Sequence, residues 1–191
     1  MGVGHVKGRA AVFLDRDGVL NESYAGPDGL PRPPSSLAEY VLTPGAIDAC
    51  EQLRALGYLL IVVTNQPDVA RGTQRREVVE TIHERLRRDL PLDDIRVCYH
   101  DDADACACRK PKPGLLVEAA RDWGIDLASS FMIGDRWRDV EAGHGAECTT
   151  ILVGSDPVGP VRREPTARVE SLVSATHWIC DRSGNGMRRE R

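Results

Sequence analysis

A chain of 191 residues, 41% hydrophobic and 28% charged, has the bulk for one globular core. Its formal net charge of −4 argues against a broad nucleic-acid-binding face, and no apolar run is long enough to cross a bilayer. Residues 1–9 lack the apolar segment of a secretory signal, so a flexible leader and a cytoplasmic location are expected.

Residues 11–15 read as a first buried strand. It delivers Asp15 and Asp17 to its end, and alternate residues of extended chain point the same way. Two carboxylates addressing one small volume suit a hard metal ion, a nucleophile and a proton-transfer partner. Gly18 then lets the chain leave sharply. Residues 16–42 read as a loop rich in Pro and Gly. Thr43 as N-cap and Pro44 in the first turn open a helix. Ile47, Cys50, Leu53 and Leu56 line one side of it, and Gly57 ends it.

Residues 58–63 form a second strand, apolar throughout as in a sheet covered on both faces, and Thr64-Asn65 follows it. An amphipathic helix is expected over 74–90, with Val78, Val79, Ile82 and Leu86 inward and His83 exposed among outward charges. Residues 95–99 are a third strand, and 113–123 a helix stopped by Gly124. A fourth strand, 131–133, leads into Gly134-Asp135. A short helix over 140–145, bordered by His144, and a fifth strand over 149–153 come next. Then follow a loop at 154–166, a helix near 168–175, a strand near 177–180 and a disordered tail from 181 to 191.

Strands alternating with helices predict a doubly wound, parallel α/β sheet, a single domain over residues 10–180. Ligands of such sheets bind beyond the carboxyl ends of the strands, where Asp15, Thr64 and Asp135 all fall. Three of the six cysteines lie in a separate cluster, Cys98-x-His100-x5-Cys106-x-Cys108. Four such ligands in one loop suit a closed, structural Zn²⁺ site, and disulfides, the other reading, are disfavoured in the cytoplasm. Cys50, Cys148 and Cys180 read as buried free thiols. The cluster runs directly into Arg109-Lys110-Pro111-Lys112-Pro113, which a metal would brace.

With Asp15-x-Asp17, Thr64-Asn65, Lys110 and Gly134-Asp135 in that order, the chain resembles the haloacid dehalogenase (HAD) superfamily of phosphatases. The zinc loop narrows the resemblance to a capless branch containing heptose bisphosphate phosphatases and histidinol phosphatases, over roughly residues 10–155. Phe13-Leu14-Asp15-Arg16-Asp17-Gly18, Thr64-Asn65-Gln66 with Ala70-Arg71-Gly72, and Arg109 to Gly114 look closer to the heptose enzymes. The short spacing between His100 and Cys106 is similar to the histidinol phosphatase loop.

The resemblance implies that Asp15 is a nucleophile forming an aspartyl-phosphate and that Asp17 is the acid and base. It places Mg²⁺ on Asp15, the Asp17 carbonyl and Asp135, with Thr64 and Lys110 on the phosphoryl group. Asp139 would hold Lys110 or a metal-bound water, or mark a helix start. Substrate contacts are expected from Arg16, Ser23, Tyr24, Ala25, Gly26, Asn65, Gln66, Pro67, Arg109, Lys110 and Arg136. The implied activity is removal of the 7-phosphate from D-glycero-D-manno-heptose 1,7-bisphosphate. Histidinol phosphate is the alternative substrate, and a nucleic-acid 3′-end is further off. A monomer acting on a small phosphorylated sugar, without nucleic acid or membrane, is expected.

Overall fold

The computed structural model describes residues 8–26, 29–154 and 163–186. The first strand, β1 (Ala11–Leu14), is wholly buried because it lies at the centre of the sheet. Five more strands run parallel with it: β4 (Leu59–Asn65), β5 (Asp94–Cys98), β6 (Phe131–Gly134), β7 (Thr149–Val153) and β8 (Ala167–Val169), in the order β5-β4-β1-β6-β7-β8. Alternation along β1 and β4 sends side chains to two separate cores. Val12, Leu14, Leu60 and Val62 meet α1 (Ala46–Ala55), α2 (Arg76–Asp89) and α5 (Leu172–Gly186) on one face. Ala11, Phe13, Leu59 and Ile61 meet α3 (Gly114–Trp123) and α4 (Trp137–Gly145) on the other. The expected doubly wound parallel sheet is therefore present, with no separate cap domain among the described residues. No helix among them is long and apolar enough to cross a membrane.

Several local expectations are corrected. A small hairpin, β2 (Tyr24–Ala25) with β3 (Pro31–Arg32), forms inside the segment read as loop. Thr43 does not cap α1; its hydroxyl donates to the Val19 carbonyl at 2.6 Å, and Gly45 in the left-handed region precedes the helix. The buried side of α1 is Ala46, Ala49, Cys50 and Leu53, so Ile47 and Leu56 face outward. Beyond β7 the expected order is reversed. Residues 167–169 pair with β7 as an edge strand, and the helix follows. The Trp178-Ile179-Cys180 run is one turn of α5: Ile179 enters the core beside Leu172 and Ala175, and Trp178 stands edge-on to Phe131. The helix continues through residues 181–186, where a disordered tail was expected. Residues 1–7 of the leader, 155–162 of the loop and 187–191 of the tail lie outside the described residues.

Candidate active site

The carboxyl ends of β1, β4 and β6 converge, and a cavity of about 460 Å³ opens above them. Asp15 sits one residue past β1, and Asp135 one past β6. Two glycines let the acids approach: a Cβ on Gly18 (φ +84°) would lie 2.4 Å from Asp135 Oδ2, and one on Gly134 2.1 Å from the Asp139 Cβ. Asp139 lies in the first turn of α4, where its Oδ2 accepts the Arg136 backbone N–H at 3.0 Å. A carboxylate is favoured there by the helix dipole. The helix starts three residues earlier than expected, so Asp139 is part of it.

Lys110 is 2% exposed, with Nζ at 2.9 Å from Asp15 Oδ1, 2.5 Å from Asp139 Oδ1 and 2.8 Å from the Val63 carbonyl. Burial alone would lower its pKa, but Asp139 and Asp15 outweigh it and the pKa is raised. Lys110 thus pairs with two of the three acids, and Arg136 Nε stands 3.8 Å from Oδ2 of the third, Asp135. Burial, partly offset by Lys110 and reinforced by Asp139 and Asp17, pushes Asp15 up to about 6. Burial together with Asp15 and Asp139 pushes Asp135 up to about 8. Asp135 Oδ1 is buried with no hydrogen-bond partner among the described residues, and Asp15, Asp135 and Asp139 each offer an oxygen within 4.8 Å of the others. An all-oxygen, charge-deficient set of this kind fits a hard divalent cation.

Asp17 is treated differently. Its Oδ1 accepts from Arg16 Nε and Asn21 Nδ2, both at 3.0 Å, and its Oδ2 from Arg16 Nη2 at 3.0 Å and Gln66 Nε2 at 2.8 Å. Burial would raise its pKa, but the Arg16 charge and these donors hold it below the usual carboxylate range. Two neighbouring carboxylates are thus driven in opposite directions by their surroundings, Asp15 toward its protonated form and Asp17 toward its ionised form.

A family model described as HAD-hydrolase-like matches residues 107–175. Over 157 residues the chain is 38% identical to a D-glycero-β-D-manno-heptose-1,7-bisphosphate 7-phosphatase of Pasteurella multocida, covering 76% of this chain and 82% of the relative. The chain belongs to this family of HAD-superfamily phosphatases. The enzyme of the same name from Photorhabdus laumondii is 36% identical, covering 88% of this chain and 92% of the relative. The crystal structure of a D,D-heptose 1,7-bisphosphate phosphatase from B. bronchiseptica, complexed with magnesium and phosphate, superposes with a TM-score of 0.75 at 30% identity. It covers 91% of this chain and 99% of the other.

In the phosphatase, Thr64 is buried and its hydroxyl accepts from Gln66 Nε2 at 3.0 Å. Asn65 uses both ends of its amide on the Lys110 backbone, donating to the carbonyl at 2.9 Å and accepting the N–H at 3.1 Å. Pro67, Asn65, Arg109, Lys110 and Arg136 line the cavity. Gln66 is 2% exposed and turned onto Asp17 and Thr64. Arg16 also departs from expectation: it is 1% exposed and its guanidinium points inward. Ser23 Oγ is buried, the Tyr24 hydroxyl meets the Glu39 carbonyl, and Ala25 and Gly26 belong to the β2 and β3 hairpin region; none of the four is among the lining residues, although Tyr24 and Ala25 pair with Arg32 and Pro31, which are.

Sequence reasoning missed the other arginines around the cavity, Arg32, Arg71 and Arg138, and the acids that hold Arg71 and Arg138. Asp102 Oδ1 takes Arg109 Nε at 2.7 Å and Arg138 Nη1 at 3.1 Å, and Asp101 takes the Arg71 fork at 2.6 and 3.0 Å. The signal available was the Asp101-Asp102 pair inside the cysteine loop, opposite the motif Ala70-Arg71-Gly72. Cys98, His100, Cys106 and Cys108 do converge. The sulfur–sulfur distances are 3.3 to 3.7 Å, His100 Nδ1 lies 3.3 Å from Cys108 Sγ, and all three thiols are free. Lys112 Nζ clips this loop through the Ala105 and Cys106 carbonyls at 2.8 and 2.6 Å.

Proposed function

We propose that this phosphatase removes the 7-phosphate of D-glycero-D-manno-heptose 1,7-bisphosphate. The residues suited to hold Mg²⁺ are Asp15, the Asp17 backbone carbonyl and Asp135; when bound, the ion relieves repulsion between carboxylate and phosphate. Asp15 attacks phosphorus, the ester P–O bond breaks, and Asp17 gives its proton to the departing sugar oxygen. Asp17 then takes a proton from the water that attacks the aspartyl-phosphate, which frees Asp15 and inorganic phosphate. The donors around Asp17 favour its ionised form in the empty site. The arriving phosphoryl dianion raises its proton affinity at the moment the proton is needed. Lys110 and Thr64 offset charge on the transferring group.

The observation that carries the substrate class is the group of five arginines, Arg32, Arg71, Arg109, Arg136 and Arg138, lining the cavity that holds Asp15. Arginine forks suit a second phosphate, whereas histidinol phosphate brings an ammonium at its far end. The reading is of a cytoplasmic monomer acting on a small sugar phosphate rather than on nucleic acid. In the cysteine loop it places a structural Zn²⁺ on Cys98, His100, Cys106 and Cys108. Thiolates about 3.7 Å apart are what tetrahedral Zn–S bonds of about 2.3 Å require, close to the distances found.

The test is phosphate release from heptose 1,7-bisphosphate, histidinol phosphate and a 3′-phosphorylated oligonucleotide. The highest kcat/KM is expected for one anomer of the bisphosphate. A higher value for histidinol phosphate or the oligonucleotide would overturn the assignment.

A further inference from the structure

His83 was expected on the outer face of α2, yet it is fully buried, 0% exposed, on the side carrying Val79, Ile82 and Leu86. Its Nε2 lies 2.9 Å from Arg16 Nη1. A guanidinium has only N–H donors, so Nε2 is the acceptor and the imidazole carries its proton on Nδ1. Nδ1 faces Glu80 Oε2 at 3.5 Å, and Glu80 Oε1 accepts the Tyr99 hydroxyl at 2.5 Å. Burial and the Arg16 charge press the His83 pKa down to about 4, against the smaller pull of Glu80, so the ring stays neutral. The remaining Arg16 donors, Nε and Nη2, form the fork on Asp17.

We infer that His83 is a positioning residue for the proton carrier: it fixes the far edge of the Arg16 guanidinium, and Arg16 in turn fixes both oxygens of Asp17. The guanidinium is 1% exposed, so loss of the Nε2 acceptor leaves Nη1 without the partner it has among the described residues. Arg16 can then regain a partner only by rotating, which breaks the fork on Asp17. The inference rests on the proposed role of Asp17, and it assigns to a side chain outside the cavity lining a share of the control over leaving-group protonation.

A loosened proton carrier has a signature that a merely loosened fold lacks. An alkyl phosphate has a poor leaving group and depends on protonation; p-nitrophenyl phosphate has a good one and depends little on it. The experiment measures kcat/KM of the full chain with saturating Mg²⁺ for glycerol phosphate and p-nitrophenyl phosphate. It compares the parent, His83→Leu, His83→Gln and Asp17→Asn. His83→Leu is expected to lower the alkyl-to-aryl ratio about tenfold. His83→Gln, whose amide oxygen can accept from Nη1, should retain at least about a third of the parental ratio. If His83→Leu does not fold, His83→Asn, which stays polar but is too short to reach Arg16, replaces it. Equal losses on both esters, or no loss, would overturn the inference, as would a ratio for His83→Gln as low as that of His83→Leu. If Asp17→Asn itself leaves the ratio unchanged, the proposed role of Asp17 has failed. If Asp17→Asn lowers the ratio and His83→Leu does not, only the relay through Arg16 has failed.

Discussion

Replacing Lys110 by Met removes the single ammonium that faces Asp15 and Asp139 at 2.9 and 2.5 Å while keeping most of its volume. The acids it served stay buried: Asp15 is 8% exposed and Asp139 1%. Removing one partner of a buried ion pair costs about 3–5 kcal/mol, because the other charge is left uncompensated. For a chain of 191 residues this corresponds to a fall in Tm of roughly 6–20 °C. The loss is pH-dependent. Asp15 already titrates near 6, above its ordinary value, and without Lys110 its pKa rises further. A carboxyl raised in the folded state contributes stability that is present below its unfolded pKa and lost as pH rises through the folded one. The variant should therefore be closest to the parent at pH 4 and furthest from it at pH 8. Mg²⁺ should restore part of the difference, since a cation among the same oxygens replaces the missing charge. A second change, Asp139→Asn, should also recover stability at pH 8. Thermal unfolding at pH 4 and pH 8, with EDTA and with Mg²⁺, measures all of this. A metal-free Lys110→Met protein as stable as the parent at pH 8 would refute the charge accounting.

Other outcomes follow from the same geometry. Purified protein made without excess metal should carry about one Zn²⁺ per chain, and Cys106→Ser should lose both zinc and thermal stability; elemental analysis and a melting curve check this. Gly134→Ala, whose Cβ would overlap Asp139, should cost about 1–3 kcal/mol and depress kcat by moving the carboxylate that holds Lys110. Arg109→Ala should raise KM for the heptose bisphosphate about tenfold or more, with a smaller effect for a monophosphate lacking the second anionic end; steady-state kinetics on both substrates decide it.

The strands were legible where apolar runs stop at polar residues, because a strand buried on both faces leaves no other pattern. That placed Asp15, Thr64 and Asp135 at strand ends, where the structure has them. His83 was misread because charges at Glu80, Glu84 and Arg85 surround it in sequence. Its spacing to Val79, Ile82 and Leu86 was the better guide, since positions 79, 82, 83 and 86 share one helical face. The end of the chain was misread for a related reason. Three apolar residues at 178–180 look like a strand, and only the wider spacing of Leu172, Ala175 and Ile179 reveals the helix. The roles of Asn65 and Asp102 were not legible, since each bonds a partner far along the chain and local pattern carries no trace of it.

The central claim is that Asp15 carries the phosphoryl group. In Asp17→Asn the carboxylate that activates water is gone, so the acyl phosphate should outlive a single turnover. Acid quenching of that variant after mixing with Mg²⁺ and p-nitrophenyl phosphate, whose leaving group needs little protonation, followed by borohydride reduction and peptide mass spectrometry, locates the modified residue. The account predicts homoserine at position 15, formed only when substrate and Mg²⁺ are both present. An unmodified Asp15 peptide together with phosphate release by the same variant, or modification at any other carboxylate, would contradict it.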